Sequence, residues 1–226
     1  MPDVSWGTEA DWDAAAKTNV EVDGTSFQLA SAIPDSVVDH FEESLYEDQN
    51  RTLADYYSGD LSQVQRQQST VYEGSYALEI PTDGPLVGAF STSGLNAYPA
   101  QGDKITLRIR IEGTGKPSFR FGIQDTNNEY AVQVNNQDNE IQLFRTENGS
   151  VASIGQTSTT PPQNDWLAVI IDWGTDITVT VNDSSGSEVG SLTATNETTF
   201  TDGGVGYRIN SATTCTVYYD DIRLTQ

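Results

Sequence analysis

Cleavage of a glycosidic bond needs two carboxylates flanking it, and a strand carrying Glu-x-Asp-x-x-Glu would set them out. The nearest match in this chain is Glu21-Val-Asp23-Gly-Thr-Ser26, with a serine where the second glutamate is needed. Nucleophilic catalysis has as little to build on. The chain has one histidine, His40, and one cysteine, Cys215. A Ser-His-Asp or Cys-His site would have to form around His40, which has no suitably placed partner in the sequence. One His and one Cys also leave no transition-metal set. Cys215 lies in an apolar run and reads as a buried core thiol that forms no disulfide within the chain. An EF-hand is missing too, because Asp125-Thr-Asn-Asn-Glu-Tyr130 has no glycine at its sixth position. The chain is therefore expected to be non-catalytic.

Binding chemistry has more material. On alternating strands, Arg108, Arg110, Arg120, Gln124, Gln133, Gln142 and Arg208 fall opposite the apolar set. The spacing predicts that they share one sheet face. Arg and Gln supply planar hydrogen-bond donors and acceptors, and Arg pairs bidentately with acidic sugars or sulfate. Phe144 and Trp173 would supply a stacking surface for sugar rings. Cross-strand Arg–carboxylate pairs on a solvated face would explain the same residues. So would a face covered by the N-terminal segment or by a neighbouring subunit.

The elements that must position these residues are strands. In "KITLRIRIEG", Ile105, Leu107, Ile109 and Ile111 face one side and Thr106, Arg108 and Arg110 the other. "SFRFGIQD" puts Phe119, Phe121 and Ile123 inward, and "EYAVQV" does so for Tyr130, Val132 and Val134. "DWLAVIIDW" is apolar on both faces, as in a central strand. "DITVTVND" alternates through Ile177, Val179 and Val181, and "GVGYRIN" and "CTVYYDDIRL" close the chain. Turn clusters between these runs predict an all-β sandwich. Residues 1–34 differ. A capping box at Thr8-Glu9-Ala10-Asp11 predicts a short helix to about Lys17, and Val20/Val22 and Phe27/Leu29 predict a hairpin around Asp23-Gly24. A segment this small is expected to dock on the main domain, residues 35–226, or on another subunit.

Composition narrows the setting. There are 33 Asp plus Glu against 11 Lys plus Arg, a formal charge of −22. Such a surface repels itself in dilute buffer. At molar salt the Debye length falls to roughly 3 Å and the repulsion is screened. Acidic, lysine-poor composition points to high salt. No basic patch is available to replace phosphate counterions, so nucleic acid is not expected as a partner. No apolar stretch reaches the roughly 18 residues of a membrane span. The first residues have neither the basic nor the apolar region of a signal peptide.

"DHFEES", "STVYEGSYALEI" and the closing "VYYDDIRL" resemble the opening and closing strands of concanavalin A-like and carbohydrate-binding-module jelly rolls. "DWLAVIIDWGTDITVTVND" resembles the paired strands of laminin-G-like domains. The resemblance covers about residues 36–226 and implies a two-sheet antiparallel jelly-roll β-sandwich. It also implies a structural calcium joining first and last strands, held by Glu42, by Asp220 or Asp221, and by carbonyls near Gly74 and Ser75. The N-terminal Trp6-Gly-Thr8-Glu-Ala-Asp11-Trp12 resembles leaders of virion and tail-associated proteins of haloarchaeal viruses. That resemblance implies a virion surface protein, a tail fibre, spike or turret, present as a homo-oligomer. Its partners would be other virion proteins and a host cell-surface glycan or glycoprotein. The alternative is a carbohydrate-binding module of a secreted halophilic protein.

Overall fold

The computed structural model describes residues 20–22, 25–27, 36–42, 46, 50–82, 87–209 and 215–225. The chain divides into two compact units, Met1–Asp35 and Ser36–Gln226. In the first, β1 (Val20–Val22) pairs antiparallel with β2 (Thr25–Phe27), opposing Val20 to Phe27 and Val22 to Thr25. The helix expected before it lies outside the described residues.

The second unit is an antiparallel sandwich. One sheet has seven strands, given in spatial order. They are β12 (Ser150–Ser158), β11 (Glu140–Glu147), β10 (Asn128–Asn135), β9 (Pro117–Asp125), β16 (Gly204–Ile209), β7 (Val87–Ser91) and β4 (Ser58–Gly59). The other sheet runs β15 (Glu188–Ala194), β14 (Ile177–Asn182), β13 (Trp166–Trp173), β8 (Lys104–Gly113), β17 (Cys215–Thr225), β6 (Ala77–Thr82) and β5 (Gln65–Gln67). Its eighth strand, β3 (Ser36–Asp39), pairs with the C-terminal part of β17. This is the all-β jelly-roll sandwich that the alternating pattern predicts.

Alternation places the core. Ile105, Leu107, Ile109 and Ile111 of β8 meet Leu167, Val169, Ile171 and Trp173 of β13 on one inner face. Phe119 and Phe121 of β9, with Tyr130, Val132 and Val134 of β10, line the other. Trp173 is 0% exposed and packs edge-on against Phe121 at 5.0 Å and Tyr130 at 6.0 Å between ring centres.

The expected inward Ile123 is on the other side. Gly122 has φ +60 and forms a bulge, so that Gly204 pairs with Ile123 and Val205 with Phe121. One extra residue reverses the alternation after it. Ile123 is buried, but outside the core cluster and beside Gly206 of the outer face.

A polar cluster is buried with the core. Asp39 accepts hydrogen bonds from the hydroxyls of Tyr46 and Tyr57, both at 2.7 Å, and from the Phe41 N–H at 2.8 Å. Tyr57 and Tyr207 hydroxyls meet at 3.2 Å. Complete burial raises the Asp39 carboxyl and the Tyr57 and Tyr207 phenols above their ordinary ranges.

Candidate functional site

The outer face of the seven-stranded sheet carries a pocket of about 220 Å³, lined by Gly59, Asp60, Gly88, Phe90, Arg120, Thr126 and Arg208. Its floor follows from strand register. Tyr207 and Phe119 point inward, so Arg208 and Arg120 on their strands point outward. Tyr130 points inward likewise, which turns Glu129 outward beside Arg120. Gly88 stands opposite Arg208, and Gly206 opposite Arg120, where side chains would fill the space.

The floor is an ionic triad. Both Nε and Nη2 of Arg120 donate to Oε2 of Glu129, and Nη2 of Arg208 lies 3.0 Å from Glu129 Oε1. Arg120 and Glu129 are nearly sealed, 3% and 1% exposed, whereas the Arg208 side chain keeps 23%. One carboxylate thus serves two guanidinium groups. Burial first, and then repulsion from Arg120, lower the Arg208 pKa from its ordinary value. The Phe90 ring lies under the Arg120 guanidinium, 5.6 Å from its centre. At the rim Asp60 is exposed. Its Oδ1 accepts the Ser62 hydroxyl at 2.6 Å and N–H at 3.1 Å, and these bonds hold its carboxyl below the usual range.

The structure divides the residues expected to share one face. Arg120, Arg208, Gln133, Gln142 and Phe144 are on the outer face of the seven-stranded sheet. Gln133 donates to the Ser118 hydroxyl at 3.3 Å. Arg108 and Arg110 are on β8, in the opposite sheet, where Arg108 stacks 4.3 Å over the Tyr72 ring and Arg110 pairs with Glu112. Alternation fixes which side of its own strand a residue takes, but not which sheet the strand joins. Gln124 is displaced by the Gly122 bulge and donates to the Asp202 carbonyl at 2.6 Å. Trp173 is interior and offers no stacking surface to a ligand. Glu129 beneath the floor and Gly59, Asp60, Gly88, Phe90 and Thr126 in the lining complete the pocket and were not singled out by sequence. For Glu129 a signal existed, because alternation places it outward once Tyr130 is inward.

The residues expected to hold calcium do converge, as a clasp over the turn at 72–76. Asp220 Oδ2 accepts the N–H groups of Tyr72 and Glu73 at 2.8 and 3.2 Å, and its Oδ1 accepts that of Asp221 at 2.8 Å. Glu42 Oε1 accepts those of Ser75 and Tyr76 at 2.7 and 3.0 Å. Gly74, at φ +73, lets the turn pass, since a Cβ there would stand 2.2 Å from Glu42 Oε1. Arg223 joins Asp221 and Glu73. Calcium asks for carbonyl and carboxylate oxygens converging on one point. Here N–H groups point at the carboxylates and Arg223 supplies the cation. Among the described residues no three Asp, Glu, His or Cys side chains group to hold a metal. This arrangement does not fit the ion.

No family model matches this chain, and no curated protein matches its sequence. Solved structures do match in fold. Carbohydrate-binding module CBM66 from Bacillus subtilis is 16% identical with a TM-score of 0.53, over 75% of this chain and 95% of that one. A legume lectin-like domain from Entamoeba histolytica is 11% identical with a TM-score of 0.54, over 84% of this chain and 97% of that one. At these identities the likeness speaks of architecture. The chain has the concanavalin A-like jelly-roll fold.

Proposed function

We propose that this chain is a non-catalytic glycan-binding module whose site is the Arg120–Arg208 pocket. The observation that carries this reading is the triad, in which two guanidinium groups share the single carboxylate of Glu129 at the floor of a pocket. Arg208 presents planar donors held in one orientation, Asp60 an acceptor at the rim, and Phe90 an apolar ring. Hydroxyl groups and the apolar face of a sugar suit that set. The fold likeness to a carbohydrate-binding module and to a lectin-like domain supports the same class. Both carboxylates of the pocket are engaged, Glu129 by two arginines and Asp60 by Ser62, which supports binding rather than hydrolysis.

Two settings use the same pocket. A module of a secreted halophilic protein is favoured by the structural likeness. A haloarchaeal virion surface protein is suggested by the charge of −22 and by the N-terminal segment, which would dock on other virion proteins. The clasp at 72–76 is proposed to close through hydrogen bonds and Arg223 rather than through calcium.

The test is a glycan array probed with labelled protein in multimolar KCl, alongside haloarchaeal cells. Saturable binding to a defined set of glycans supports the reading. Failure of the folded protein to bind any glycan or cell overturns it.

A further inference from the structure

We propose that the β12 edge of the seven-stranded sheet pairs antiparallel with the β12 edge of a second copy of this chain. The two sides of the sandwich are protected unequally. On one side the sheets end on β4, two residues long, β5, three residues long, and β3, four residues long. Very short edge strands offer little backbone to pair with. On the other side they end on β12, nine residues, and β15, seven residues. These two edges lie close together, with the Thr159 hydroxyl donating to the Val189 carbonyl at 2.5 Å.

β12 lacks the usual guards of an open edge. Among the described residues it pairs with β11 alone, which leaves outward N–H and C=O groups along its other side. In a chain of net charge −22, no charged residue occurs between Glu147 and Asp165. No proline falls within the strand. Ser150 to Ser153 are exposed, and Val151 at 66% is one of two exposed large apolar side chains among the described residues.

These features favour a second copy over another partner. Across a two-fold axis a strand meets itself reversed, so a charge near the axis meets its own sign. A neutral strand is free of that penalty on a molecule that otherwise repels its copies. A bulge at Ile154 divides the strand, since Leu143 pairs with Gly155 and Phe144 with Ser153. The exposed Ser150–Ser153 segment is accordingly the pairing stretch. With the axis perpendicular to the sheet, the outer faces of both copies stay on the same side. The two Arg120–Arg208 pockets then open in one direction, and a polyvalent ligand would meet both. The dimer itself does not depend on what the pocket binds.

The test is sedimentation equilibrium of the full chain in multimolar KCl across the micromolar range. A reversible dimer is expected. Val151→Lys and Ala152→Lys should each shift dissociation at least tenfold toward monomer, while the unfolding midpoint measured at concentrations where the wild type is monomeric stays unchanged, because both side chains are exposed. Gln63→Lys, exposed on the opposite side next to β5, should leave the dimer intact. A monomer at every concentration, an open polymer, or a dimer indifferent to both β12 substitutions overturns the proposal.

Discussion

Replacing Glu129 by Gln probes the pocket floor without changing its shape. The change leaves Arg120, 3% exposed, and Arg208, 23% exposed at its side chain, with no countercharge at the floor. Removing one partner of a sealed ion pair destabilises a protein by about 3–5 kcal/mol, because the remaining charge stays buried. At about 2–4 °C per kcal/mol for a chain of this size, Glu129→Gln should lower the melting temperature by roughly 6–20 °C. The Lys116–Asp138 pair provides the contrast. Its side chains are 26% and 45% exposed, and a pair so screened by solvent contributes little to stability. Asp138→Asn should therefore move the melting temperature by roughly 4 °C or less. Scanning calorimetry of the wild type and both variants measures this directly. Raising the KCl concentration should leave the Glu129 effect largely intact, since salt screens buried pairs weakly. A Glu129→Gln melting temperature within about 3 °C of wild type would refute a sealed triad.

Gly122→Ala should destabilise by roughly 1–3 kcal/mol, read from the guanidinium midpoint, because φ is +60 and the new Cβ would stand 2.9 Å from Trp173 Cη2. Burial lifts the Asp220 carboxyl to about 7, from an ordinary value of 3.8, and raises Asp39. The folded chain then holds protons that the unfolded chain releases, so this stability is full below about pH 4 and is lost as pH rises through 7. Asp125, Asp138 and Asp183 are depressed by hydrogen bonds and lose their contribution only as pH falls below the ordinary range. The melting temperature should accordingly fall between pH 5.5 and pH 8, with a shallower slope in Asp220→Asn, and a rise over that interval would contradict the assignment. Chelators should leave the melting temperature unchanged, because N–H groups and Arg223 already engage the Glu42 and Asp220–Asp221 carboxylates; a calcium-dependent rise of several degrees would restore the metal reading.

The fold was legible because strand alternation is a local property. Ile105 to Ile111, Ile177 to Val181 and Tyr130 to Val134 point inward as their spacing requires. The pocket was half legible. Arg120 and Arg208 were marked as outward, and they meet because β9 and β16 are neighbours in the sheet. Arg108 and Arg110 carry the same local signal, yet β8 joins the other sheet, and no local pattern encodes that choice. Trp173 misled because β13 is apolar on both sides. Its odd-numbered residues face the core, and Trp166, Ala168 and Ile170 face outward, half-buried. The reversal at Ile123 needed a bulge, and Gly122 within an otherwise regular strand was the available sign. Asp60 and Thr126 reach the pocket from a loop and a turn, where no periodicity operates.

Glycan binding at the Arg120–Arg208 pocket is tested by titrating wild type and Arg208→Ala with a glycan identified on the array, by calorimetry in multimolar KCl. Arg208 is the partly exposed member of the triad, so its truncation should preserve the fold better than changes to Arg120 or Glu129. Saturable binding is expected of the wild type and at least tenfold weaker binding of Arg208→Ala, with the far-UV spectrum unchanged. Equal affinity in the two proteins would place the glycan elsewhere and contradict it.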